Sequence, residues 1–117
     1  MINFTNHPSD RWEESQRKAA LKYGEIVDIP FPAVNPQGDE NYIVALAEHY
    51  FRQIMELHPQ AVLCQGEFCL AYQVISMLRK EETTVLAACS ERVVKEIGQK
   101  KEVVFTFWQF RKYGESA

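Results

Sequence analysis

Three clusters of polar residues hold most of the chemistry open to this chain, and each directly follows a short apolar run. Asn6, His7 and Ser9 come after Ile2-Asn3-Phe4-Thr5. Gln65, Gly66 and Glu67 come after Ala61-Val62-Leu63-Cys64, and Ser90, Glu91 and Arg92 after Val85-Leu86-Ala87-Ala88-Cys89. A histidine at a strand exit can serve as acid, base or charge donor to a developing oxyanion near neutral pH. Arg92 carries a planar fork matched to phosphate oxygens, and Ser90 a hydroxyl. Gly66 at a strand-to-helix turn allows a ligand to approach the backbone, and the N–H groups of the next helical turn favour an anion. Glu67 supplies a negative charge that competes for the same helix end. Each cluster also has a plain structural reading: a glycine for a tight turn, a histidine that ties down a loop, a serine cap with a surface Arg–Glu pair.

Other chemistries find less support. The chain has no phosphate-binding Walker loop, no dinucleotide glycine triad and no nucleophile elbow. Cys64, Cys69 and Cys89 are odd in number and lack the close spacing of structural zinc sites. Two of them sit in apolar runs, where free cysteine packs as a small hydrophobe. A thiol or metal site using Cys64 or Cys89 with His7 is the sharper alternative; the expectation is no metal and no cofactor.

The elements that position these clusters follow from hydrophobic pattern. An apolar run without polar alternation, stopped by Gln65-Gly66 and followed by helix-spaced apolar residues, reads as a strand buried on both faces that turns into a helix. Ile2–Thr5 and Thr83–Cys89 have the same grammar, and Glu25–Ile29 forms a further strand ended by Pro30. Asp10 with Glu13 predicts a capping box for a helix whose buried face is Trp12, Gln16, Ala19 and Tyr23, closed by Gly24. Asp39 caps a helix over residues 40–57, and a third helix over 67–80 buries Phe68, Ala71, Val74, Ile75 and Leu78. The proline-spaced loop Phe31–Gly38 either walls the ligand crevice, packs on a second subunit or simply skirts the sheet. Residues 90–97 fit a helix or a strand; the favoured reading is a hairpin through Gly98-Gln99-Lys100 into the branched and aromatic run Glu102–Phe110, with both faces of that strand against apolar groups.

Strands alternating with helices make an α/β fold, a small Rossmann-like three-layer sandwich. Its sheet is mainly parallel, with the antiparallel hairpin at one edge. The three polar exits then share the carboxyl end of the sheet, where ligands of open α/β sheets bind. At 117 residues the chain reads as a single domain, 1–117, of ordinary globular composition. A net charge of −3 argues against duplex nucleic acid as a partner. Without a signal-like N-terminus or a membrane-length apolar run, the expectation is a cytoplasmic protein that does not engage membrane.

Phe4-Thr5-Asn6-His7-Pro8, Val62-Leu63-Cys64-Gln65-Gly66-Glu67, Ala88-Cys89-Ser90-Glu91-Arg92-Val93-Val94 and Phe110-Arg111-Lys112-Tyr113 run in order along nearly the whole chain. Together they resemble small CRISPR-associated Rossmann-like proteins related to the CARF sensors, among them ring nucleases that cleave cyclic oligoadenylate. The resemblance implies a homodimer whose crevices meet on a two-fold axis around a symmetric cyclic nucleotide. It implies metal-independent cleavage in which a ribose 2′-hydroxyl attacks the adjacent phosphodiester. Carried over by position, His7 would be the acid or charge stabiliser, with Ser90 and Arg92 on phosphate. Asn6, Ser9, Gln65, Gly66 and Glu67 would line the ligand; Asn6 replaces a hydroxyl residue found in several relatives. The contrasting expectation is a non-catalytic interaction module using the Phe31-Pro32 loop and the aromatic strand.

Overall fold

The computed structural model describes residues 1–115. The strands are β1 (Ile2–Phe4), β2 (Val27–Asp28), β3 (Ala61–Cys64), β4 (Thr84–Ile97) and β5 (Lys100–Lys112). The helices are α1 (Glu14–Leu21), α2 (Glu40–Met55) and α3 (Phe68–Lys80). The sheet order is β2-β1-β3-β4-β5; the first four strands are parallel and β5 is antiparallel to β4. This is the mainly parallel Rossmann-like sandwich expected from the alternation of apolar runs and helical stripes.

Strand period 2 sorts the core into two halves. Ile2, Phe4, Val62, Cys64 and Val85 face α2 and α3, where Ile54, Leu70, Val74 and Leu78 cover them. Met1, Ala61, Leu63 and Leu86 face α1, which contributes Ala20, with Trp12, Tyr23 and Phe110 closing the rim. Each fully buried Leu, Ile, Val or Phe contributes about 1.5–3 kcal/mol, so the α2/α3 half dominates stability. The buried faces of the central strands are why their sequence shows no alternation.

Several local expectations are corrected. Asp10 does not cap α1: Ser9–Arg11 form a single 3-10 turn, Trp12 is extended (ψ 150°), and α1 begins only after Glu13, which makes no side-chain cap bond. The cause is long-range, because the Trp12 indole donates to the His7 carbonyl at 3.1 Å and its ring lies 6.5 Å from that of Phe110. Asp39 does cap α2, accepting from the Tyr42 N–H at 2.9 Å, and Gly24 takes the positive φ (98°) that the end of α1 needs. Phe68 is 89% exposed rather than buried, and Leu70 takes the core position instead.

Residues 90–97 are strand, completing the expected hairpin. Its two-residue turn is Gly98-Gln99 with φ +64° at Gly98 alone, the II′ arrangement that matches strand twist. Since β3 pairs with β4 only through Leu86, β4 and β5 continue as a two-stranded arm beyond the carboxyl end of the sheet. The chain measures 50 × 37 × 26 Å in consequence. Contrary to expectation, apolar groups do not cover both faces of this arm: Val94, Ile97, Val103, Phe105 and Trp108 are exposed. At its base a bulge shifts the register, from Cys89 opposite Gln109 to Ser90 opposite Phe107, leaving Trp108 as the extra residue. The bulge lets Phe107 and Phe110, three residues apart, share the α1 face with ring centroids 4.9 Å apart.

Candidate functional site

A cavity of about 610 Å³ opens at the carboxyl ends of β1, β3 and β4, on the α1 side of the sheet and beside the β1/β3 switch point. Its size is that of a small-ligand site. Asn6 and His7 from the β1 exit, Gln65 from the β3 exit and Ser90 from β4 all line it. Arg11, Trp12 and Gln16 enter from the turn and from α1, and Phe105 and Phe107 form the wall contributed by the arm. Glu13 is the single carboxylate among the lining residues.

The β1 exit loop is held by a polar network rooted in the buried Asn3 and Thr5 and reaching the exposed Asp28. Asn3, 1% exposed, donates from Nδ2 to the His7 carbonyl at 2.9 Å and to Asp28 Oδ1 at 3.0 Å, and accepts from Thr5 Oγ1 at 2.7 Å. Thr5 Oγ1 in turn accepts the His7 N–H at 3.1 Å. Asp28 Oδ2 accepts from both the backbone N–H and the hydroxyl of Ser9, and Arg17 donates to the Ser9 carbonyl. Main-chain groups of His7 are thus fully engaged while its exposed imidazole has no hydrogen-bond partner among the described residues. Such a loop presents a titratable side chain from a fixed backbone, as catalytic and ligand-orienting groups require.

Gln65 bridges strands: its Oε1 accepts the Ala88 N–H at 2.9 Å, leaving the Nε2 hydrogens as the part able to serve a ligand. Ser90 sits at the bulge, where the kink aims it into the cavity alongside Ala88. Arg92 does not line the cavity. It lies one step out along the arm, opposite Phe105, so its exposed side chain shares the α1 face with that ring.

The remaining three residues have other work. Ser9 is turned to Asp28. The N–H groups of Cys69 and Leu70, at the α3 N-terminus, donate to the Glu67 carboxylate at 3.0 and 2.8 Å. Those bonds hold Glu67 below the usual carboxylate range and fill the helix end that was expected to favour a ligand anion. Gly66 makes room for a side chain: a Cβ there would lie 2.5 Å from the Phe31 ring. Phe31 is buried, packs with its ring tilted against Phe4 at 4.8 Å between centroids, and donates its N–H to the Thr5 carbonyl. The proline-spaced loop therefore plugs the α2/α3 side of the strand ends, and the cavity is left on the α1 side.

Cys64 is buried among core residues, and burial pushes its thiol up to about 12, which leaves it protonated and inert. Among the described residues no group of three His, Cys, Asp or Glu side chains is placed to hold a metal ion. Arg11, Trp12, Gln16 and Phe105 are site residues that sequence pattern did not reveal. Arg11 and Trp12 read there as helix residues behind the Asp10 cap, and only the 3-10 turn brings them to the cavity.

The chain belongs to the uncharacterized protein MJ1673 family, which matches residues 1–111. Comparison with curated proteins and with solved structures gave no match. No helix of the described residues is long and apolar enough to cross a membrane.

Proposed function

We propose that this chain is a cytoplasmic binding protein for a cyclic oligoadenylate. The observation that carries the proposal is the meeting of Asn6, His7, Gln65 and Ser90 with Arg11 and the exposed Phe105 in one open cavity at the strand ends. A nucleotide needs this mixture: cationic and amide donors for phosphate oxygens, and a free aromatic face for a base. The resemblance of the three strand exits to the CARF-related proteins supports the cyclic, adenine-containing class. Arg11 and Arg92 would contact phosphate, Phe105 would stack on adenine, and Ser90 and Gln65 would fix the ring's orientation.

For cleavage, the ribose 2′-hydroxyl is the nucleophile and the protein supplies geometry and charge. His7, held at its backbone with its imidazole unengaged, is the group to protonate the departing 5′-oxygen or to offset charge on the phosphorane. The products would be a 2′,3′-cyclic phosphate and a 5′-hydroxyl.

Thermal shift against a panel of cyclic and linear oligoadenylates tests binding, since a ligand held only by the folded state raises Tm. The expected result is a shift with one cyclic species that is lost in Arg11→Ala. Chromatography of the same samples tests cleavage, with His7→Ala expected to keep the shift and lose product. No shift with any oligoadenylate would overturn the proposal.

A further inference from the structure

The parallel ladder between β3 and β4 stops at Leu63 opposite Leu86, although β4 runs on to Ile97. The register identifies the bond that is missing. The Gln65 N–H donates to the Phe4 carbonyl at 3.3 Å, so main-chain groups of odd-numbered residues at this end of β3 point to β1, and those of Val62 and Cys64 point to β4. With Cys64 one place beyond Leu63, the next bond of the ladder would run from the Ala88 N–H to the Cys64 carbonyl. Unpaired main-chain groups are costly here, since Cys64 is fully buried. Both groups are met by side chains instead: the Ala88 N–H donates to Gln65 Oε1 at 2.9 Å, and the Cys64 carbonyl accepts from the Tyr113 hydroxyl at 2.8 Å.

The two side chains come from opposite faces of the sheet. Gln65 continues the α1 face of Ala61 and Leu63 and lines the cavity. Tyr113 packs with the α2/α3 half of the core. Its backbone is fixed there, because its N–H donates to the Val85 carbonyl at 2.9 Å and the Arg79 guanidinium lies against the next residue, Gly114. Burial holds the phenol above its ordinary range, which keeps it a donor. The slot between β3 and β4 is thus part of the cavity floor, filled from the cavity side by Gln65 and from the far side by Tyr113.

We propose that Tyr113 is a positioning residue for the cavity: its hydroxyl takes the place of the Ala88 N–H at the Cys64 carbonyl, keeps the β3/β4 ladder open and so sets the width of the cavity floor. A strand pair closed by the missing bond stands about 4.8 Å apart. Closure would draw Ala88 toward β3, and with it Ser90 and the wall of Phe105 and Phe107 that the arm carries. It would also release Gln65 Oε1. In the open ladder that oxygen is fixed and Nε2 faces the cavity; in the closed one the whole amide is loose and the space before it is narrower. Tyr113 acts through Cys64 and Ala88 and does not line the cavity. The inference holds for any ligand of the cavity and does not rest on the nucleotide reading.

Scalar couplings across hydrogen bonds, measured by NMR on the isotopically labelled protein without ligand, test this directly. In the wild type the Ala88 nitrogen is expected to couple to Gln65 Cδ and not to the Cys64 carbonyl carbon. In Tyr113→Phe, which keeps the packed ring, the coupling to Gln65 is expected to vanish and one to Cys64 to appear. Amide exchange supplies a rescue. Gln65→Ala alone leaves the Ala88 N–H without its acceptor while Tyr113 still holds the carbonyl, so protection at Ala88 is expected to be lost. Adding Tyr113→Phe is expected to restore it, because the ladder can then close, whereas a merely structural Tyr113 would add to the damage. A wild-type coupling from Ala88 to Cys64, a Tyr113→Phe protein that keeps the Gln65 coupling or fails to fold, or a double variant whose Ala88 exchanges as fast as that of Gln65→Ala would overturn the proposal.

Discussion

Gly66→Ala should be costly although the residue lies at an exposed turn and needs no unusual backbone angle. The added methyl would sit 2.5 Å from Cε1 and Cζ of Phe31, where ordinary contact begins near 3.4 Å, so the ring would have to retreat by about 1 Å. It has nowhere to go, because Phe31 is 5% exposed and already rests on Phe4. Overpacking of this kind costs about 1–3 kcal/mol, a fall in Tm of roughly 5–15 °C for a chain this size. Urea denaturation of a double-mutant cycle with Phe31→Leu gives the assay, because the shorter side chain leaves space for the methyl. The coupling energy should be at least about 1 kcal/mol in the direction of rescue. A cost below about 0.5 kcal/mol, or an equal cost in the Phe31→Leu background, would refute the assignment of Gly66 to this packing contact.

Three further outcomes follow from particular contacts. Asn3→Ala removes the donor to His7 O and Asp28 and the acceptor of the buried Thr5 hydroxyl, so it should destabilise the fold by about 1–3 kcal/mol in urea and loosen amide exchange over 6–9. Glu67→Ala should cost about 0.5–2 kcal/mol as the loss of an N-cap. Because hydrogen bonds from Leu70 and Cys69 hold the Glu67 carboxyl below its usual range, its stabilisation is present above the unfolded carboxyl's pKa and lost as pH falls through the lower folded one. The gap between wild type and variant, read by thermal melts, should therefore close on acidification below about pH 4. Mass spectrometry after alkylation should find the exposed Cys69 modified, slowly because the Glu67 carboxylate beside it holds its thiol above the usual range, and the buried Cys64 untouched until denaturant is added; labelling of native Cys64 would contradict its burial.

The strand exits were legible because burial on both faces leaves a signature within a few residues, and Ala61–Cys64 displays it without interruption. Asp39 was legible for a similar reason, since a cap is a local bond to the Tyr42 N–H. What sequence pattern missed depends on partners far along the chain. The capping role expected of Asp10 lost to an indole that reaches back to His7 and packs on Phe110, almost a hundred residues away. Phe68 was assigned inward by helical spacing, but the register of α3 on the sheet buries Leu70 instead. Gly66 and Glu67 looked like ligand groups because a tight turn and an open helix end look alike until Phe31 and the carboxylate cap fill them. Arg11 and Phe105 entered the cavity through a 3-10 turn and an arm geometry for which no short motif exists. The hairpin itself was legible from β-rich residues around Gly98, but the Trp108 bulge, which sets where its aromatics face, was not.

The most direct measurement is amide shift mapping of the isotopically labelled protein titrated with the cyclic oligoadenylate that gives the largest thermal shift. The expected result is perturbation confined to residues 5–12, 63–65, 88–92 and 105–107, the segments that line the cavity and the adjoining face of the arm. Perturbations gathered instead on α2, or around Arg79, Thr84 and Lys112 at the opposite end of the sheet, would contradict the placement of the site.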